Sequence, residues 1–335
     1  MLSFLKSLLL LVFLAAAAVA GYGWWYTTTP LQLARLPLDF EIAPGTGLRG
    51  AIDQLERAGV RVRRNEFELL ARALKRERGI KAGSYELTQA TTPRQLLDKL
   101  TRGDVTQAEL RLIEGWTFAQ FRAVLNESAD LRHDSTGLSD QELLARIQAA
   151  ETHPEGLFFP DTYLFARGSS DLAVLRRSYR AMQRHLKSEW EGREENLPYG
   201  SVYEALVMAS IIEKETGRET ERDQIAGALV NRLRKGMRLQ VDPTVIYGLG
   251  ADFDGNLKKV HLLTDGPYNT YTRAGLPPTP IAMPGRASLR AAVHPAKTDS
   301  LYYVSRGDGS SQFSRNLEEH NRAVTKYQLR RPKGK

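Results

Sequence analysis

Two carboxylates, Glu213 and Glu215, stand at the end of an apolar stretch, residues 203–217 (YEALVMASIIEKETG). Eight of the ten residues before Glu213 are apolar, so the stretch reads as a helix whose surface neighbours lie three and four residues apart. For Glu213 those neighbours are Ala209, Ser210, Thr216 and Gly217, all small and uncharged. A carboxyl in that setting is desolvated with no cation to offset the loss, which predicts a raised pKa and suits a general acid. Small flanking residues leave room for a bulky substrate. The plainer reading of a lone glutamate at a helix edge is a surface residue. Glu215 has Arg218 at i+3 and Glu219 at i+4, an ordinary solvated pattern, and points about 200° away from Glu213 around the helix.

Other chemistries find little support. There is no cysteine, so thiolate nucleophiles, thiolate metal sites and disulfides are excluded. No serine nucleophile elbow, phosphate-binding glycine loop or HExxH motif is present, and the six histidines are scattered, so the sequence implies neither cofactor nor metal. What remains is carboxyl chemistry among amides and aromatic rings, which suits protonation of a glycosidic oxygen. Most glycosidases need two carboxylates, and Asp242 is the candidate for the second, against its plainer reading as an Asp-Pro turn residue. A substrate that supplies its own hydroxyl nucleophile needs only one carboxyl, acting first as acid and then as base. Glu155 and Asp161, in an aromatic loop, read as supporting groups.

The elements that must hold these residues can be read in order. Residues 7–25 carry no charge over nineteen positions, about 28 Å as a helix, close to the thickness of a bilayer's hydrocarbon. Tyr22, Trp24, Trp25 and Tyr26 form an aromatic cluster at its far end, as expected of a membrane anchor at an interface. A cleaved signal peptide is the rival, because Ala18, Val19 and Ala20 fit a cleavage pattern; continuation of the apolar run into the aromatic cluster favours the uncleaved anchor. Residues 27–38 read as a linker. A small module follows over 39–106, with a strand before the Pro44-Gly45 turn and a helix over 48–58. A second helix over 65–75 is capped by Asn65, a strand covers 84–87, and a helix over 93–101 starts with Pro93 and stops at Gly103.

Residues 107–335 form the larger remainder, with a strand over 107–113, helices over 139–150 and 172–190, and a helix over 222–235 opened by a Thr220 and Asp223 capping pair. A strand then reaches Asp242, and a short helix begins near Thr244, putting Gln240, Asp242, Thr244 and Tyr247 at a strand-to-helix junction. Residues 266–285 hold five prolines and three glycines, which exclude helix or central strand and make a fixed, turn-rich surface. A short helix over 288–293, a strand over 301–305 and a closing helix over 318–328 complete an α+β fold.

The chain has 335 residues, 42% hydrophobic and 26% charged, a globular composition with room for two or three domains. Its net charge of +8 points to anionic company: lipid headgroups, peptidoglycan or nucleic acid. Nucleic acid is disfavoured, because no recognised binding motif is present and basic residues alternate with acidic ones.

Six segments together resemble the YceG-like family of endolytic murein transglycosylases, the MltG group. They are EGWT (114–117), EGLFFPDTY (155–163), ASIIEKET (209–216), LQVDPTVIYG (239–248), YNTY (268–271) and GLPPTPIAMPG (275–285). The chain departs from the family pattern at Val241, Thr279, Pro280, Met283 and Ser311. The resemblance implies a single-pass inner-membrane protein with residues 1–6 cytoplasmic, a transmembrane anchor over 7–26 and the rest periplasmic. It further implies a LysM-like α/β subdomain over 39–106, and a mixed α+β catalytic domain over 107–335. The implied reaction is non-hydrolytic cleavage of the MurNAc-β-1,4-GlcNAc bond within nascent glycan strands, which leaves 1,6-anhydroMurNAc ends and terminates elongation beside peptidoglycan synthases. Glu213 falls on the family's catalytic glutamate, and Gln240, Asp242, Thr244, Tyr247, Asn269 and Tyr271 on residues lining the glycan cleft. A lysozyme-like muramidase and a non-enzymatic peptidoglycan-binding scaffold are the alternatives.

Overall fold

The computed structural model describes residues 2–34, 36, 38–43, 45–103, 107–216 and 218–329. Pro44 of the expected turn, Pro37 of the expected linker, residue 106 at the expected module boundary and Gly217 lie outside the described residues. The chain divides into two compact units, Met1–Glu109 with Leu164–Ser169, and Leu110–Tyr163 with Ser170–Lys335.

The first unit begins with α1 (Leu2–Thr28). Its residues Leu9–Thr28, mean hydropathy 1.7, are long and apolar enough to cross a membrane, and side chains such as Leu11 and Phe13 are exposed along it. There follow β1 (Gln32–Leu33), β2 (Leu38–Ile42), α2 (Leu48–Ala58), β3 (Val60–Arg61), α3 (Arg64–Ala73), β4 (Gly83–Leu87) and α4 (Pro93–Arg102). Strands β2 and β4 pair antiparallel from Leu38 opposite Leu87 to Ile42 opposite Gly83, and β1 pairs with β3. Helical apolar spacing turns Ile52 and Leu55 of α2, Phe67 of α3 and Leu96, Leu97 and Leu100 of α4 onto Phe40 and Tyr85 of the β2/β4 pair. Helix α4 starts with Pro93 and is ended by Gly103 in the left-handed region, as the sequence suggests, and a Thr92 and Gln95 capping box adds to its start. Helix α3 differs from expectation: Arg63 occupies the cap position and Asn65 lies inside the helix.

The chain then runs through β5 (Gln107–Arg111), α5 (Phe118–Glu127), β6 (Leu131–Arg132), α6 (Asp140–Ile147), β7 (Thr162–Ala166), β8 (Ser169–Ser170) and α7 (Asp171–Glu191), of which the residues up to Glu109 and Leu164–Ser169 belong to the first unit and the others to the second. It continues with α8 (Val202–Glu215), α9 (Arg222–Arg234), α10 (Asp242–Leu249), α11 (Lys259–Leu263), α12 (Arg286–Val293), β9 (Tyr302–Ser305), β10 (Ser311–Ser314) and α13 (Leu317–Val324). Helix α8 is the centre. Every residue from Ala205 to Ile212 is buried, and α7, α9, α10 and α12 pack against it. A helix apolar on all sides has no solvent face to offer, so its polar chemistry is confined to its C-terminal end.

Two further expectations are corrected here. The Thr220 and Asp223 capping pair does not form: a 3-10 turn, Glu219–Glu221, leads into α9, whose cap residue Glu221 makes no side-chain capping bond. Residues 237–241 are irregular rather than a strand, because their backbone bonds run to a loop, Gln240 N–H to the Thr270 carbonyl (3.1 Å), and α10 starts at Asp242 rather than Thr244. The strand over 301–305 is found as β9, with an antiparallel partner β10 that the sequence reading did not foresee.

Candidate active site

Helix α8 opens with a reciprocal Ser201 and Glu204 capping box and ends at Thr216, so Glu213 and Glu215 occupy its last turn. The two carboxyls enter different surroundings. Glu213 is half-buried, and its Oε2 accepts the Gly285 backbone N–H (3.0 Å). One turn earlier, the Ser210 hydroxyl accepts the Ile281 N–H (3.0 Å). The proline-rich loop is thereby stitched along one face of α8. Its other side is tied to residues 114–117 by Gly115 N–H to the Met283 carbonyl (2.9 Å) and Met283 N–H to the Trp116 carbonyl (2.8 Å).

Glu213 does not stand alone. The Glu114 carboxyl lies against Gly285, where a Cβ would meet its Oε1 at 1.9 Å, so a larger residue at 285 would require the Glu114 carboxyl to move. Burial first, and then the charge of Glu213, raise the pKa of Glu114. The Lys214 ammonium donates to the Gly115 carbonyl (3.2 Å). Helical spacing misses these neighbours because residues 114 and 285 come from distant parts of the chain.

Glu215 is the carboxyl that enters a cavity. A space of about 420 Å³ is lined by Glu215, Arg232, Gln240, Asp242, Tyr271 and Tyr302, among others. Burial pushes the Glu215 carboxyl up to about 7, against the hydrogen bond donated by the Tyr303 hydroxyl to its Oε2 (2.9 Å); the negative charge of Asp242 adds to the rise, and Arg232 opposes it. Asp242 accepts from the Tyr271 hydroxyl (2.5 Å), and burial together with that carboxylate raises the Tyr271 pKa. Arg232 is buried and spent on the scaffold. Its Nε donates to the Leu301 carbonyl (2.6 Å) and its Nη1 to the Leu239 carbonyl (2.6 Å), while its guanidinium lies 4.9 Å from the Tyr302 ring centre. Gln240 sits in the left-handed region at φ 52°, a conformation that carries strain in a non-glycine residue and is common at functional sites.

Of the sequence-predicted residues, Gln240, Asp242 and Tyr271 therefore gather around Glu215. Thr244 and Asn269 are enclosed and hold the loops together. The Thr244 hydroxyl donates to the Val241 carbonyl (2.8 Å) and meets the Thr270 hydroxyl (2.9 Å). Asn269 donates to the carbonyls of His261 (3.0 Å) and Thr264 (2.6 Å) and accepts the Tyr271 N–H (2.9 Å). Tyr247 faces elsewhere: its hydroxyl donates to Glu155 (3.1 Å), and its ring packs edge-on against Tyr268. Arg232 on α9 and Tyr302 and Tyr303 on β9 were missed, because the residues that bring them to the cavity are distant in the chain. Among the described residues no group of three or more His, Asp or Glu side chains is arranged to hold a metal ion.

Glu155 is a second buried acid. Its carboxylate accepts the Phe118 N–H at the start of α5 (3.0 and 3.2 Å), yet burial outweighs these bonds and pushes it up to about 7. A carboxyl raised in the folded state stabilises the fold below its ordinary pKa, and that stability is lost as pH rises through the folded value. Glu155 and Glu215 together are expected to make the thermal midpoint fall between pH 5 and pH 8. Glu155→Gln is expected to flatten part of this slope, and a midpoint that instead rises over that range would contradict the burial argument.

The YceG-like family model matches residues 40–326. A Bacillus subtilis strain 168 protein named endolytic murein transglycosylase is 34% identical over 275 residues, covering 74% of this chain and 73% of that protein. A Streptococcus pneumoniae strain D39 protein of the same name is 27% identical over 361 positions; the match takes in 95% of this chain, which spans 64% of that relative's length. The crystal structure of a yceG-like protein from Listeria monocytogenes superposes with a TM-score of 0.53 at 31% identity, covering 85% of this chain and 98% of that one. With the family pattern running through both the helix that carries the carboxyls and the loops that enclose them, the chain belongs to the YceG-like family.

Proposed function

We propose that the protein is a membrane-anchored endolytic lytic transglycosylase, a lyase acting on the glycan strands of peptidoglycan, with Glu215 as its acid and base. The observation that carries the residue assignment is the Glu215 carboxyl, raised to about 7 by burial and sharing a cavity with Gln240, Asp242 and Tyr271. The names of the relatives support the substrate class.

In the proposed reaction, protonated Glu215 gives its proton to O4, the oxygen bridging MurNAc C1 and GlcNAc C4, as the C1–O4 bond breaks. The muramyl C6 hydroxyl oxygen then bonds to C1 and passes its proton to the Glu215 carboxylate. The proton is returned, no water is consumed, and the muramyl end closes as a 1,6-anhydro ring. The Asp242 carboxylate, oriented by Tyr271, supplies negative charge facing the cation-like C1, and Gln240 offers an amide to the sugar. Thr244 and Asn269 act by fixing the two loops, and Tyr247 by holding Glu155.

The sequence assignment of Glu213 stands as a second reading, favoured by the Gly285 N–H that its carboxylate accepts and by the Glu114 carboxyl whose pKa its charge helps to raise. A hydrolytic muramidase is a third, favoured by the second carboxylate, Asp242, in the same cavity. In the proposed arrangement residues 1–6 are cytoplasmic, 7–26 span the inner membrane, 27–38 link, 39–106 form a LysM-like glycan-binding subdomain and 107–335 form the periplasmic catalytic domain, placed to trim strands beside peptidoglycan synthases. The strand–helix–helix–strand order of β2, α2, α3 and β4 supports the LysM-like assignment.

Mass spectrometry of muropeptides released from peptidoglycan tests the chemistry. Anhydromuramyl ends are expected. Reducing ends carrying oxygen from labelled water would establish the muramidase reading, and strands bound but uncut would point to a scaffold. Because the acid must begin protonated, kcat/KM is expected to fall as pH rises through about 7.

A further inference from the structure

We propose that the foot of α1 and the adjoining face of the first unit form a binding site for the phosphate headgroup of an anionic phospholipid. The inference rests on the reading that α1 crosses a membrane. A cavity of about 390 Å³ lies at this point, lined by Trp25, Tyr26, Gln32, Arg61, Arg63 and Pro93 among others. Trp25 and Tyr26 are near the end of the twenty-residue apolar stretch, the position at which a spanning helix meets the headgroups.

The small fold is tied to that depth by named contacts. Arg63 Nη1 donates to the Tyr22 hydroxyl (2.9 Å), and its guanidinium lies 5.5 Å from the Trp25 ring centre. The Tyr22 hydroxyl donates to Glu66 (3.1 Å), and the Tyr26 hydroxyl to the Arg63 carbonyl (3.4 Å). Leu31 N–H donates to the Thr91 carbonyl (2.9 Å), which brings the start of α4 to the same wall. Membrane-spanning helix and basic strand therefore end at one level.

The charge there is positive and available. Arg61, on β3, is exposed and has no ion pair among the described residues. Arg63 has 56% of its side chain exposed, and among the described residues Glu66, 4.0 Å away, is the acid paired with it. Two guanidiniums against one carboxylate favour a phosphate, whose oxygens match the planar donor fork. A zwitterionic headgroup brings its own ammonium and gains less. The aromatic walls suit the glycerol and upper acyl region of the same lipid.

Native mass spectrometry of the full chain in detergent, titrated with phosphatidylglycerol or phosphatidylcholine, tests the site. Phosphatidylglycerol is expected to associate preferentially. R61Q is expected to weaken it about fivefold and R61Q/R63Q roughly thirtyfold, one surface charge at a time, while R102Q at the far end of α4 leaves it unchanged. R61Q matters most, since among the described residues Arg61 makes no side-chain bond whose loss could unfold the module. Unchanged association in both variants, or equal affinity for the two lipids, overturns the site. The spanning reading is checked separately in liposomes: wild-type protein stripped by alkaline carbonate overturns that reading, whereas protein that resists stripping but shows no lipid preference overturns the site alone.

Discussion

Glu215→Gln is expected to lower kcat for strand cleavage by about a thousandfold, the scale of losing a positioned acid and base, with little change in glycan binding or thermal midpoint. Glutamine is close in shape to a protonated glutamic acid and can still accept the Tyr303 hydroxyl, so the cavity is expected to keep its geometry. Glu213→Gln is the decisive companion. Its side-chain oxygen can still take the Gly285 N–H, so the proline-rich loop stays in place and cleavage is expected to remain within about tenfold of wild type. Inactivity of Glu213→Gln beside an active Glu215→Gln would return the acid to Glu213 and make Glu215 a structural group. A thermal scan of both proteins separates lost chemistry from lost fold.

Why the sequence favoured the other carboxyl has a physical explanation. Spacing of three and four residues finds neighbours only while the helix continues, and α8 stops at Thr216. Arg218 is therefore not on a helical face beside Glu215: its backbone is extended, and its guanidinium donates to the Asp308 carbonyl (2.7 Å). The groups that bury Glu215 come from far along the chain, Tyr303 on β9 and Tyr271 on the proline-rich segment, and no local pattern reports such contacts. The same limit hid the approach of Glu114 to Glu213. What was legible was local. The apolar run before Glu213 specified a helix, and Pro93 and Gly103 marked the start and stop of α4, whereas the grouping of Gln240, Asp242 and Tyr271 came from the family resemblance and not from any local spacing.

Gly156→Ala is expected to cost about 3 kcal/mol and lower the thermal midpoint by roughly 10 °C, although residue 156 makes no chemical contribution. Two strains combine. Gly156 sits at φ +79°, where an alanine costs about 1–2 kcal/mol. Its new Cβ would also come within 2.5 Å of Pro280 Cβ and 2.6 Å of Pro280 Cγ, an overlap of the kind that costs about 1–3 kcal/mol when a packed core receives extra volume. Pro280 cannot swing aside as a long side chain would. Its ring is fixed, and the next residue, Ile281, is bonded through its N–H to Ser210 of α8. Strain at residue 156 also reaches Glu155, which joins the start of α5 to Tyr247. Gly137→Ala separates the two contributions, because Gly137 has nearly the same φ, +78°, and open space where the Cβ would go. That variant is expected to lose only the backbone share, about 1 kcal/mol. Equal losses in the two alanine variants, measured by denaturant or thermal unfolding, would mean that the proline-rich loop yields freely; a clear excess in Gly156→Ala means that it is held rigidly against α8.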